Sequence, residues 1–298
     1  MSSLANALIS PGPSSASADR PEMGRLALII GKRAQRSVAV QQFHQGALRV
    51  LRPHYLDGSG QVCYVVVNPG GAYLGADLYV VEVEVEAGAS LLLTTQSATK
   101  IYRTPGSFAE QRMTIRLGEG AELELAPDQL IAYREASYRQ NTHITVHPTS
   151  SLIMAEVITP GWSPDGASFR YLELRLRNEI QVESDDGTAL LALDNLLIRP
   201  PLGDVSGMGF MEGYSHLGSL IVVDPRVDQA LADELHRLTA GYDAYSGLSL
   251  TRTLAGTTGL VLRSLSNSTE ELNRLLGACA GLLRERWYGR APLNLRKY

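Results

Sequence analysis

The sequence predicts a mainly β protein, built of stacked β-hairpins that form a β-solenoid-like or two-layer β-sandwich body, with about two α-helices in the C-terminal third. Three observations predict it. Between residues 82 and 160 a strand–turn–strand unit recurs three times, at intervals of about 30 residues. Elsewhere apolar and polar residues alternate around Gly- and Asp-bearing turns. Beyond residue 220 the apolar period lengthens to that of an amphipathic helix, twice.

Residues 1–24 are rich in Ser, Ala and Pro and lack the basic start and unbroken apolar stretch of a secretory signal peptide. They are expected to form a flexible tail, with residues 25–298 making one β domain. The 298 residues, 44% hydrophobic and 19% charged, can bury a sizeable core. The first strand-like segments, residues 47–55 and 63–68, flank an Asp57-Gly58 turn.

The repeat follows. Its first copy runs Val83-Glu84-Val85, Gly88-Ala89, then Leu91 and Leu93. The second is Ile115-Arg116-Leu117, Gly120-Ala121, then Leu123 and Leu125, and the third is Ile144-Thr145-Val146, Thr149-Ser150, then Leu152 and Met154. The offsets are 32 residues (Val83 to Ile115) and 29 (Ile115 to Ile144). Period two places the apolar members on one face, and a small residue at the turn allows reversal, so each copy reads as a hairpin with one apolar side. A single hairpin cannot cover that side, and several must stack.

Residues 171–183 and 190–198 extend the stack around an Asp186-Gly187 turn, and the glycines of 203–213 read as a loop. Helices are predicted near 225–239 and 269–286. For the first, Asp224 is the expected cap and Pro225 the first-turn residue, with Val227, Leu231, Leu235 and Leu238 as the apolar stripe. For the second, Ser268 and Glu271 form a capping box, and the stripe includes Cys279, expected in the core.

Several function classes are excluded or unsupported. A net charge of −4 argues against a nucleic-acid binder. No apolar run approaches the roughly 20 residues needed to span a bilayer. Cys63 and Cys279 stand 216 positions apart, so neither a disulfide framework nor a paired-Cys zinc site is written here, and a reducing cytoplasm is expected. Ser97-Ala98-Thr99-Lys100 matches S-x-x-K, but the S-D-N and K-T-G partners of that acylation site do not occur. His143 and His147 flank a strand sequence, which sets them about 13 Å apart, too far to share one ion. Glu82, Glu84 and Glu86 share one strand face, as a solvated surface or as an acidic track for a cation.

Two stretches carry a resemblance. Pro69-Gly70-Gly71 leading to Gly75-Ala76-Asp77-Leu78, followed by Thr94-Thr95-Gln96-Ser97-Ala98-Thr99-Lys100-Ile101-Tyr102-Arg103, resembles the central motif of the UreD (or UreH) urease accessory proteins. Ala155-Glu156-Val157 with Gly161, Asp194-Asn195, Glu212-Gly213-Tyr214-Ser215-His216 and Leu282-Leu283-Arg284 continue it to the C-terminus. Many family members have Pro-Gly where this chain has Gln96-Ser97, and a common aromatic is replaced by Ile101.

The resemblance implies a non-enzymatic scaffold. Such a scaffold binds the helical partner UreF and through it the GTPase UreG, and the assembly docks on the urease apoprotein so that nickel enters its active site. Nickel is then a transient cargo, with no tightly bound cofactor and no nucleic-acid or membrane partner. The family is described as having an internal water-filled passage, and the resemblance carries Asp77, Thr99 and Glu156 over as candidate passage residues, with Asp194 a fourth. Each has a structural alternative: turn amides for Asp77, a backbone bond for Thr99, and an ion pair for Glu156. Lys100, Tyr102 and Arg103 are expected to lock the strand exit. The alternative function is a carbohydrate-active β-solenoid enzyme, which would need clustered carboxylates and stacking aromatics in a chain only 6% aromatic.

Overall fold

The computed structural model describes residues 20–184, 187–293 and 295. Within them the chain forms β1 (Glu22–Arg33), β2 (Arg36–Gly46), β3 (Arg49–Val50) and β4 (Val62–Val67). The repeat region supplies β5 (Leu78–Val85), β6 (Ser90–Thr95), β7 (Thr99–Ile101), β8 (Ala109–Leu117), β9 (Glu122–Ala126), β10 (Leu130–Ala132), β11 (Ser137–Val146) and β12 (Ser151–Ile158). Then come β13 (Glu173–Ser184), β14 (Gly187–Ile198), a 3₁₀ turn at Pro200–Leu202 and β15 (His216–Val223). The chain closes with α1 (Gln229–Thr239), β16 (Tyr245–Arg252), β17 (Thr258–Ser266) and α2 (Thr269–Tyr288). β1 starts inside the span assigned to the tail, and most of that tail, like Asp186, lies outside the described residues.

Two sheets face each other. The first runs β14-β13-β11-β8-β5-β1-β2, and the second β16-β17-β15-β12-β9-β6-β4-β3. β7 and β10 pair with each other in parallel and form a short third wall, which joins the second sheet where Leu130 meets Ile158.

The repeat is solenoidal, but its units are not hairpins. β5 pairs in parallel with β1 and β8, and β6 pairs in parallel with β4 and β9, so the two strands of a copy lie in opposite sheets. Period-two patterning is satisfied by either arrangement, since both give each strand one apolar face. Facing strands bury both inward rows in a shared core, and the neighbouring copy supplies the hydrogen bonds. The turns stack as rungs: Gly118 N–H donates to Val85 O (2.9 Å) and His147 N–H to Leu117 O (2.9 Å), while Gly88 N–H donates to Glu119 O (2.8 Å).

The main core fills the space between the sheets, with Val83, Ile115 and Ile144 opposite Leu91, Leu123 and Leu152. A second core lies on the outer face of the second sheet, where α2 covers β12, β15 and β17 and α1 packs against β16. Being covered on both faces, β15 reads as an apolar run rather than an alternation. Cys279 is buried in that second core, as expected.

The first helix starts at Gln229, not near 225, because its cap is Asp228, which accepts from Leu231 N–H at 2.8 Å. Asp224, the expected cap, is occupied by the backbone N–H (2.8 Å) and guanidinium (2.7 and 2.6 Å) of Arg226. Ser268 caps α2, but Glu271 accepts from Asp243 N–H at 2.9 Å, so only half of the capping box forms.

Candidate functional site

The core changes character towards the third wall. In the first sheet, cross-strand neighbours Met113, Thr142, Asn178 and Asp194 form one row across β8, β11, β13 and β14, with Gln111 and Gln140 paired in the next. Opposite them, Glu156, Ser219 and Arg263 form a row across β12, β15 and β17. Two contacts join these rows across the sheets. Asn178 Nδ2 donates to Glu156 Oε2 at 2.8 Å, and Arg263 pairs with Asp194. Gln140 Nε2 adds a third bond, to Glu156 Oε1 at 2.6 Å. Burial raises the Glu156 carboxyl above its usual range; the two amide donors oppose the shift, the nearby Asp194 charge adds to it, and Arg263 partly offsets it.

Thr142 Oγ1, Asn178 Oδ1 and Ser219 Oγ are buried with no partner among the described residues. Beside this layer is a cavity of about 80 Å³, lined by Thr94, Thr99, Gln140, Thr142 and Glu156 among others. A site able to hold one water needs roughly 10–15 Å³, so this space admits several, with polar groups to bind them.

Glu156 also stands at a window in the second sheet. The β9–β12 ladder ends at Leu125 and Met154, and the pairing resumes only where β10 meets β12 at Leu130 and Ile158. Pro127, which has no amide hydrogen, lies in the gap. Leu125, Pro127, Asp128, Glu156 and Val157 line both the interior cavity and a groove of about 290 Å³ outside the sheet, beneath Gly277, Ala280 and Arg284 of α2. At the other end the cavity shares Leu48, Val66, Tyr73, Thr95 and Thr99 with a small cleft of about 40 Å³ at the Gln96–Lys100 loop.

The four sequence-predicted residues separate accordingly. Glu156 lies at the window. Thr99 lies where the cavity and the loop cleft meet, its N–H donating to Gln129 O at 3.0 Å. Asp194 reaches the polar layer through Arg263 and the neighbouring Asn178. Asp77 is in none of the three linings: its Oδ2 accepts from Leu74 N–H (2.7 Å) and from the Tyr79 hydroxyl (3.2 Å), which closes the turn. Lys100 O and Tyr102 N–H both bond Tyr73 of the preceding rung (2.8 and 2.9 Å), which holds the strand exit. Glu82 pairs with Arg25 at 2.8 Å away from the cavity, and His143 and His147 lie at surface positions beside Glu179 and Thr149.

Gln140, Thr142, Asn178, Ser219 and Arg263 were not read from the sequence. Their signal is present but faint: along β11 and β13 the inward positions keep period two while Gln140, Thr142 and Asn178 replace aliphatic residues.

Among the described residues, no helix is long and apolar enough to cross a membrane. The family model described as UreD urease accessory protein matches residues 22–297. The chain is 82% identical over 276 residues to the urease accessory protein UreD of Arthrobacter sp. (strain FB24), covering 93% of this chain and 94% of that protein. It is 78% identical over 275 residues to UreD of Paenarthrobacter aurescens (strain TC1), covering 92% and 95%. At greater distance it is 35% identical over 275 residues to UreD of Staphylococcus aureus (strain bovine RF122), covering 92% and 98%. A carbohydrate-active enzyme is therefore set aside, and with these matches running from β1 to the C-terminal segment the chain belongs to the UreD urease accessory protein family, acting in urease maturation and not as an enzyme.

Proposed function

We propose that the protein is a nickel-delivery scaffold in the cytoplasm, which binds UreF, recruits the GTPase UreG through it, and docks on the urease apoprotein. The observation that carries this reading is the polar layer between the sheets, beside a cavity that shares lining residues with a cleft at the Gln96–Lys100 loop and with the groove at the Glu156 window. Nickel travels as cargo along that layer, past Thr99, Asp194 and Glu156. The ligand chemistry suits transit. Nickel binds imidazole and thiolate strongly, whereas carboxylate, amide oxygen, hydroxyl and water hold it weakly enough to release it. Asp77 serves by keeping the turn beside the passage closed, not by meeting the ion.

The test has two arms. Co-expression with UreF is expected to yield a stable complex by size-exclusion chromatography; two well-folded proteins eluting independently would refute the scaffold. Glu156→Gln is expected to leave that complex intact while lowering the nickel content of urease matured with it. Undiminished metallation in Glu156→Gln and in Asp194→Asn would remove the passage from the mechanism.

A further inference from the structure

The third wall has an outer side. Three aromatic residues stand there, one per rung: Tyr102 after β7, Tyr133 after β10, and Trp162 one rung on. Their rings form a ladder, with centroids 4.7 Å apart for Tyr102–Tyr133 and 4.9 Å for Tyr133–Trp162. The backbone holds it rigidly, through Tyr133 N–H to Ile101 O (2.9 Å), Trp162 N–H to Ala132 O (2.9 Å) and Arg134 N–H to Trp162 O (2.8 Å). Yet Tyr102 is 40% exposed and Trp162 50%. Exposed aromatics on a fixed scaffold lose little conformational entropy when covered.

The next residue on two of these rungs is an arginine. Arg103 and Arg134 are both exposed, and both approach one carboxylate, Glu135, at 2.5 and 3.9 Å. Two guanidinium groups thus share one negative charge beside the ladder, a local excess of positive charge in a chain whose net charge is −4. Glu135 itself is held at φ +63°, a left-handed conformation costly for a side-chain-bearing residue.

We propose that the Tyr102–Tyr133–Trp162 ladder with Arg103 and Arg134 is the docking surface for a protein partner that presents carboxylates around an apolar centre. Tyr, Trp and Arg are the residues that dominate protein interfaces, and the planar guanidinium fork fits a carboxylate in two-point contact. Tyr102 meets Tyr133 edge-on at 73°, and Tyr133 meets Trp162 at 40°, so the three rings form no single plane along which successive sugars or bases would stack. The position gives the surface its use. β7 and β10, whose Thr99 and Leu130 line the cavity, lead directly into Tyr102 and Tyr133, so a partner seated on the ladder grips the wall that bounds the cavity.

The inference rests on the proposed UreF association only for its choice of probe. Affinity for purified UreF and for the urease apoprotein is measured by titration calorimetry at low and high salt, with the full chain and with two pairs of variants. Arg103→Glu with Arg134→Glu is expected to weaken binding to one of these probes at least tenfold and to reverse its salt dependence, affinity then rising with salt. Tyr102→Ala with Trp162→Ala is expected to weaken it at least tenfold with the salt dependence kept. Arg103→Ala with Arg134→Ala guards against misfolding of the charge-reversed chain, and should show the same direction with a smaller effect. Unchanged affinity of all variants for both probes overturns the proposal, as does wild-type binding to a 20-nucleotide RNA that the arginine variants lose. If the wild-type chain binds apo-urease but not UreF, the UreF reading fails, and the ladder stands or falls on whether the variants lose affinity for apo-urease.

Discussion

Glu156 on the second sheet and Asn178 on the first face each other across the interior, the Asn178 amide donating to the carboxylate at 2.8 Å. This is a bond between layers at a level where aliphatic side chains would otherwise meet. It ties the polarity of the interior to its stability.

The carboxyl of Glu156 titrates above its usual range because burial disfavours the charged form. A group whose pKa is higher in the folded than in the unfolded chain takes up a proton on folding. Its contribution is full below the unfolded value and is lost as pH rises through the folded one. Urea denaturation between pH 4 and 8 should therefore show the wild type losing stability relative to Glu156→Gln as pH rises, and parallel curves would refute this.

Arg284 and Glu124 form a buried ion pair that joins α2 to β9, with Gln61 Oε1 accepting from Arg284 at 3.0 Å and Asp57 meeting its other nitrogen at 2.8 Å. Burial raises the Glu124 carboxyl, and Arg284 opposes that shift. Arg284→Met leaves an uncompensated charge and should cost about 3–5 kcal/mol in urea denaturation, whereas adding Glu124→Leu should restore most of it. An equal loss in both variants would show that packing, not charge, sets the cost.

Gly161 has φ +86°, and a Cβ there would lie 2.3 Å from Ala132 O, the acceptor of the Trp162 amide. Gly161→Ala should destabilise the chain by roughly 1–3 kcal/mol and shift the fluorescence of the neighbouring Trp162, because the rungs must separate to admit the methyl group. A variant with the wild-type melting temperature and spectrum would contradict this.

Cys279 is buried on the inward face of α2, and burial pushes its thiol up to about 12, while Cys63 is buried in β4. In the native state at pH 8 neither should react with a maleimide over minutes, and both should react after unfolding. Rapid native labelling of Cys279 would show that α2 detaches.

Much of the architecture could be read from residue order. The repeat of Val83, Ile115 and Ile144 located the stacked copies, and Ser268 located α2. Strand pairing could not be read the same way. An alternating strand has one apolar face whether its neighbour is the next strand in sequence or the equivalent strand one rung away, and only the burial of two facing sheets decides. The first helix misled because Asp224 and Asp228 are both competent caps, and Arg226 had already engaged Asp224. Glu156 was found by resemblance. Its amide partners Gln140 and Asn178 stayed hidden because single polar residues in alternating strands resemble outward-facing ones until the register is known.

The coils in the middle of the body are joined side by side in parallel, a pattern that has no inherent stopping point. At one end β2 turns back antiparallel on β1, and at the other β14 turns back on β13, while β3 and the β15–β17–β16 set do the same for the second sheet. These reversed strands act as terminators. They end the parallel stack, so a second body cannot continue it simply by adding another parallel coil in the same register.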